Sequence, residues 1–123
     1  MDEISFLDTY ALCEIRKANP KFQKYLSRKF IINDLILVEF YNVLLKEDTE
    51  QEARQWIDLL KNNSYPVSLN ILLKAVEFRR LHKKSDLSFF DAVGYVFAQE
   101  NKISFVTGDK EFKDMPGVEF IQK

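Results

Sequence analysis

Ser88-Phe89-Phe90-Asp91-Ala92-Val93-Gly94-Tyr95-Val96-Phe97-Ala98-Gln99-Glu100, followed after Asn101-Lys102 by Ile103-Ser104-Phe105-Val106-Thr107-Gly108-Asp109, is the stretch that decides the fold. Ser88 is a good N-cap, because its hydroxyl can accept from the unpaired N–H groups of a helix start. The segment from Phe89 to about Glu100 then reads as a helix apolar on nearly every side. Such a helix belongs inside a protein, not on its surface. Ile103 to Thr107 reads as a buried strand. Each of the two elements carries one carboxylate at an apolar boundary: Asp91 in the first turn of the helix and Asp109 just beyond the strand.

Outward from this pair, strands and helices alternate. Residues 4–8 read as a short strand ending at Asp8, and Thr9 to Ala18 as a helix with Ala11, Leu12 and Ile15 at helical spacing. Asn19-Pro20 restarts a helix to about Ser27, with Pro at the first helical position. Phe30-Ile31-Ile32 is a second strand, and Asn33 or Asp34 caps a long helix through Leu45. Thr49 opens another helix, with Glu52 placed for a capping box. Tyr65 to Ser68 is a third strand shortened by Pro66. Asn70 is expected to cap a helix bearing Leu72, Leu73, Val76 and Leu81. Residues 109–113 form a short helical turn and Val118 to Ile121 a last strand. This alternation predicts an α/β fold with a parallel sheet covered on both faces.

Composition narrows the function. At 123 residues the default is one domain, 1–123, and 46% hydrophobic residues suffice to fill its core. Eleven Phe against three Gly and three Pro exclude a loop-rich or disordered chain. A formal net charge of −1 excludes bulk polycation binding, so any nucleic-acid contact must come from local patches. Cys13 and His82 are each the single residue of their kind, which rules out an intramolecular disulfide, a cysteine zinc site and a histidine cluster. Asp2 and Glu3 at the start argue against a signal peptide. No apolar run approaches the roughly 18–20 residues of a membrane span. A protein of the reducing cytoplasm is the simplest expectation.

Four acids remain to be explained. Asp8 closes Ile4-Ser5-Phe6-Leu7, Glu39 interrupts Leu35-Ile36-Leu37-Val38 and Phe40-Tyr41, Asp91 lies between Phe89-Phe90 and Ala92-Val93, and Asp109 follows the last apolar run. Isolated buried carboxylates cost several kcal/mol or more. If the fold brings these together, something positive must hold them, and a hard divalent cation with oxygen ligands suits that role. Ordinary roles compete: Asp8 and Asp109 as helix caps, and Asp91 as a residue favouring a helix N-terminus through the macrodipole. Glu39, in mid-helix among large apolar residues, is harder to explain that way. In open parallel sheets, sites form beyond the carboxyl ends of strands, where Asp8 and Asp109 both fall.

The ordered set Phe6-Leu7-Asp8-Thr9, Glu39, Leu87-Ser88-Phe89-Phe90-Asp91-Ala92 and Phe105-Val106-Thr107-Gly108-Asp109-Lys110-Glu111-Phe112 resembles the PIN-domain nucleases, and among them the VapC toxin type. The resemblance runs over essentially the whole chain. It implies a three-layer α/β/α fold with strand order 3-2-1-4-5. It further implies a catalytic site of Asp8, Glu39, Asp91 and Asp109 that binds Mg²⁺ or Mn²⁺. Asp8, Asp91 and Asp109 would be the metal ligands and Glu39 the residue that orients a water. Thr9 and Thr107 match supporting hydroxyl positions. RNA would be the substrate, a protein antitoxin a partner, and a homodimer the assembly. Two departures stand out: Tyr10 where a small polar residue is frequent, and Gly94 where Ala is usual.

Two basic runs could hold RNA phosphates: Arg16, Lys17, Lys21, Lys24, Arg28 and Lys29, or Arg79, Arg80, Lys83 and Lys84. The alternatives to a toxin are an RNA-processing nuclease without an antitoxin, an aspartyl-phosphate receiver or phosphohydrolase, and a non-catalytic interaction module. The phosphohydrolase pattern of two Asp separated by one residue is absent, since Tyr10 occupies the second place.

Overall fold

The computed structural model describes residues 3–122. Asp2, read above as part of an acidic start, lies outside the described residues. The elements follow in the order β1 (Ser5–Leu7), α1 (Thr9–Arg16), α2 (Pro20–Gln23), β2 (Phe30–Asn33), α3 (Asp34–Glu47), α4 (Glu50–Leu60), β3 (Ser64–Tyr65), α5 (Leu69–Leu81), α6 (Phe89–Glu100), β4 (Ser104–Thr107) and β5 (Val118–Phe120). Short 3₁₀ turns follow α2, α4 and β4. The five strands form one sheet in the order β3-β2-β1-β4-β5, and every pairing is parallel. With its flanking helices this is the expected three-layer α/β/α arrangement.

β1 occupies the middle of the sheet because all three of its residues are apolar or small and buried on both faces. Phe6 pairs in register with Ile31 on one side and Phe105 on the other. Its ring stacks on Phe105 at 5.7 Å and tilts against Phe97 of α6 at 5.6 Å. α6 is buried from Ala92 through Ala98, as its all-round apolar sequence predicts. Gly94 lets it approach the sheet: a Cβ there would lie 3.2 Å from Ile36 Cδ1 and 3.3 Å from the rings of Phe6 and Phe105. Close packing accounts for the departure at this position.

Several boundaries differ from the sequence reading, each for a local reason. α1 stops at Arg16, because Lys17 serves as its C-cap and Ala18 turns to a positive φ of 61°. β3 is Ser64–Tyr65 rather than 65–68, since Pro66 lacks the N–H a ladder needs. α5 is capped by Ser68, whose hydroxyl accepts from Ile71 N–H at 3.3 Å, and not by Asn70. The exposed Leu69 hid this earlier start. Leu73, Val76 and Leu81 face solvent, while Ala75 and Phe78 pack inward. Thr49 caps α4 by accepting from Glu52 N–H at 3.1 Å. Among the described residues, no helix is long and apolar enough to cross a membrane.

Candidate active site

Parallel strands end together, so the residues that follow β1 and β4 meet at one edge of the sheet. Asp8 follows β1 directly and is 1% exposed. Both its oxygens are occupied: Oδ1 accepts from Ala11 N–H at 2.8 Å, capping α1, and Oδ2 accepts from the Thr107 hydroxyl at 2.5 Å. Thr107, fully buried at the end of β4, accepts in turn from Asp109 N–H at 3.0 Å. Asp109 Oδ1 accepts from Glu111 N–H at 3.0 Å and so starts the turn that follows.

Asp91 and Ser88 form a reciprocal capping box at the start of α6. Asp91 N–H donates to Ser88 Oγ and Ser88 N–H to Asp91 Oδ2, both at 3.0 Å. Glu39 lies in the second turn of α3, half-buried, and accepts a short hydrogen bond from the Thr9 hydroxyl. The ordinary capping roles of Asp8, Asp91 and Asp109 are therefore all realised. They do not account for the electrostatics.

Burial, the largest cause, pushes the Asp8 carboxyl up to about 8, and the charges of Asp91 and Asp109 add to the rise; the bonds from Thr107 and Ala11 oppose it. Asp91 is raised chiefly by burial, with Asp109 and Asp86 adding. Glu39 is raised by burial and by Asp91, against its bond from Thr9. Asp8, Asp91 and Asp109 thus lie within electrostatic reach of one another, and Glu39 within that of Asp91. Among the described residues, none of them forms an ion pair with a lysine or arginine.

The donor set is all hard oxygen, which suits Mg²⁺ or Mn²⁺ and not a metal that prefers sulfur or nitrogen. Among the described residues, no three His, Cys, Asp or Glu side chains are gathered into a ready metal cage. The site is therefore a loose oxygen-lined edge whose charge is uncompensated, and it is in that respect that it fits a divalent cation.

Two further residues bear on this edge. Asp86, on the loop before α6, contributes to the field at Asp91. Tyr10 lies against Gly108, between Thr107 and Asp109: a Cβ at position 108 would come within 2.1 Å of Tyr10 Cε1. The unusual Tyr10 thus goes with the absence of a side chain at its neighbour, a pairing that only the spatial contact reveals. Cys13, half-buried with its thiol pushed up to about 11 by burial, is not primed for nucleophilic attack.

Comparison with known proteins follows the same lines. The family model of the PIN domain matches residues 5–118. The toxin VapC20 of Mycobacterium tuberculosis, described as cleaving the sarcin-ricin loop, is similar in structure with a TM-score of 0.79 and 16% identity over 98% of each chain. VapBC2 from Rickettsia felis, bound to a DNA fragment from its promoter, gives 0.77 and 19%, covering 97% of this chain and 99% of that one. A toxin–antitoxin complex from Klebsiella pneumoniae gives 0.75 and 23%, covering 94% and 95%. At these identities the likeness speaks for the fold. Among curated proteins, no sequence matches.

Proposed function

The chain belongs to the PIN-domain family, and on that premise we propose that it is a metal-dependent endoribonuclease, the toxin of a toxin–antitoxin pair. The single observation that carries the reading is the convergence at one sheet edge of Asp8, Asp91 and Asp109, with Glu39 within the field of Asp91, and with no lysine or arginine paired to any of them among the described residues. A purely structural edge has no reason to keep such a cluster, because like charges destabilise it.

Asp8, Asp91 and Asp109 would hold Mg²⁺ or Mn²⁺. When bound, such a cation offsets the carboxylates and the negative charge that develops during phosphodiester cleavage, and favours ionisation of water. The chain's own residues then have distinct tasks. Thr107 fixes Asp8 and the Asp109 backbone from one hydroxyl. Ser88 fixes Asp91. Glu39, held by Thr9, orients the attacking water and takes up its proton, a role that its raised pKa favours. Asp8, whose carboxyl is raised to about 8, would release its proton to serve as a ligand.

RNA is the substrate in this reading, and an antitoxin the inhibitory partner, supported by the similarity to toxin–antitoxin complexes. A homodimer, a single domain over residues 1–123 and a cytoplasmic location complete the proposal. The direct test is RNA cleavage with Mn²⁺ by the wild type and by Asp91→Asn, which keeps the size and capping geometry of Asp91. Loss of cleavage in the folded variant is expected; cleavage at the wild-type rate removes Asp91 from the mechanism.

A further inference from the structure

The two basic runs of the sequence fare differently in the fold. In the first, Arg16 is committed to Glu47 and Asp48 at 2.6 and 2.7 Å. Lys17 leans toward Glu14, and Lys21 Nζ donates to the Gln122 carbonyl at 2.9 Å. Lys24 and Arg28 lie over the Tyr25 ring at 5.3 and 5.6 Å. Arg16 and Lys17 face carboxylates, and Lys21, Lys24 and Arg28 are held by a carbonyl or a ring.

The second run differs. Arg79, Arg80, Lys83 and Lys84 form no ion pair among the described residues. A cleft of about 450 Å³ opens between the end of α5 and the loop that follows, lined by Arg79, Arg80, Lys83 and Ser85 over the apolar Val76 and Leu87. That volume falls in the range of ligand pockets, about 300–1,000 Å³. The cleft is tied to the acids through covalent structure. Arg79 Nε donates to the Leu87 carbonyl at 3.1 Å, and the next residue, Ser88, holds Asp91 in the capping box. Arg79 spends one donor there and keeps four for a ligand.

We propose that this cleft binds the phosphates of a single-stranded RNA segment flanking the scissile bond, with Arg80 and Lys83 as the principal phosphate contacts. This inference rests on the nuclease reading. A cation at the acids would serve the scissile phosphate alone, and binding energy realised on the flanking phosphates of the same strand is what positions it there. Unpaired cations at the end of α5, joined to the loop that leads to Asp91, supply it, and the apolar Val76 and Leu87 accommodate a sugar or base face. An acidic peptide would use the same cations but would have no use for the path from the cleft to the acids, and the test below separates the two ligands.

The test uses Arg80→Ala/Lys83→Ala, leaving Arg79 in place because it holds the loop. Affinity for a short single-stranded oligoribonucleotide is measured against salt, with Mg²⁺ present and Asp91→Asn added to block turnover. The logarithmic salt slope should become shallower by about 1.4, roughly 0.7 for each lost contact. In the cleavage-competent background, KM should rise for that oligonucleotide and stay unchanged for a dinucleotide too short to reach the cleft. Arg80→Gln/Lys83→Gln provides the same test if the alanine variant does not fold. Unchanged slope and KM in a folded variant overturn the proposal while leaving the nuclease reading intact. Retained RNA affinity with lost affinity for polyglutamate overturns it in favour of an acidic peptide. A wild type that neither binds nor cleaves RNA removes both readings together.

Discussion

The hydroxyl of Thr107 bridges two acids that are far apart in the chain: it donates to Asp8 Oδ2 at 2.5 Å across 99 residues and accepts from Asp109 N–H at 3.0 Å. It is wholly buried, so no water can replace it on either side. Thr107→Val keeps the shape and leaves both partners unpaired. That should lower stability by about 1–3 kcal/mol in denaturant unfolding and reduce cleavage, while Thr107→Ser restores most of both. A valine variant as stable as the wild type would show the bridge to be dispensable.

Acid pH should stabilise the metal-free protein. The Asp8 carboxyl is raised to about 8 by burial, with Glu39 and Asp91 raised in the same direction. Between its unfolded value near 4 and its folded value, Asp8 holds a proton in the native state and loses it on unfolding. The native state binds more protons, so stability falls as pH rises across that window. Urea unfolding at about pH 5 and about pH 8 should show the decline. Asp8→Asn should flatten it, with no loss of stability at the higher pH. A steep loss in that variant at both pH values would make Asp8 a structural cap before anything else.

Divalent cations should also stabilise the protein. Mn²⁺ or Mg²⁺ at a hundredfold excess over its dissociation constant adds about 2.7 kcal/mol by mass action, a midpoint shift on the order of ten degrees. Asp91→Asn and Asp109→Asn should each weaken the shift. A non-catalytic interaction module predicts no rise beyond that given by monovalent salt of equal ionic strength, and scanning calorimetry separates the two.

Tyr10 and Gly108 should behave as a coupled pair. Gly108→Ala puts a methyl group 2.1 Å from Tyr10 Cε1 and must displace the ring or the turn that carries Asp109. Alone it should cost about 1–3 kcal/mol as an overpacking change. Combined with Tyr10→Ser the penalty should largely vanish, giving a double-mutant coupling of more than about 0.5 kcal/mol. Strict additivity would show that the ring yields freely.

Much of this molecule is legible in one dimension. The apolar, Ser88-capped segment before Ile103 announced a buried helix feeding a strand, and α6 and β4 are there with every residue from Ala92 to Ala98 buried. Asn19, Asn33, Thr49 and Ser88 all cap the helices they precede. At the start of α5 the competing signals are equally local: Ser68 and Asn70 are both good caps, and only the chain's path chooses Ser68.

Caps, turns and hydrophobic periodicity act within one helical turn or one strand, so the sequence by itself determined the order of elements and the central helix. Tertiary structure decided the rest. It set how deeply Asp8 is buried, which hydroxyl serves each carboxylate, that Tyr10 meets Gly108, and which basic run lines a cleft with no carboxylate partner. Desolvation and charge repulsion depend on which distant segments come within a few ångströms of each other, and that distance is written in no single segment.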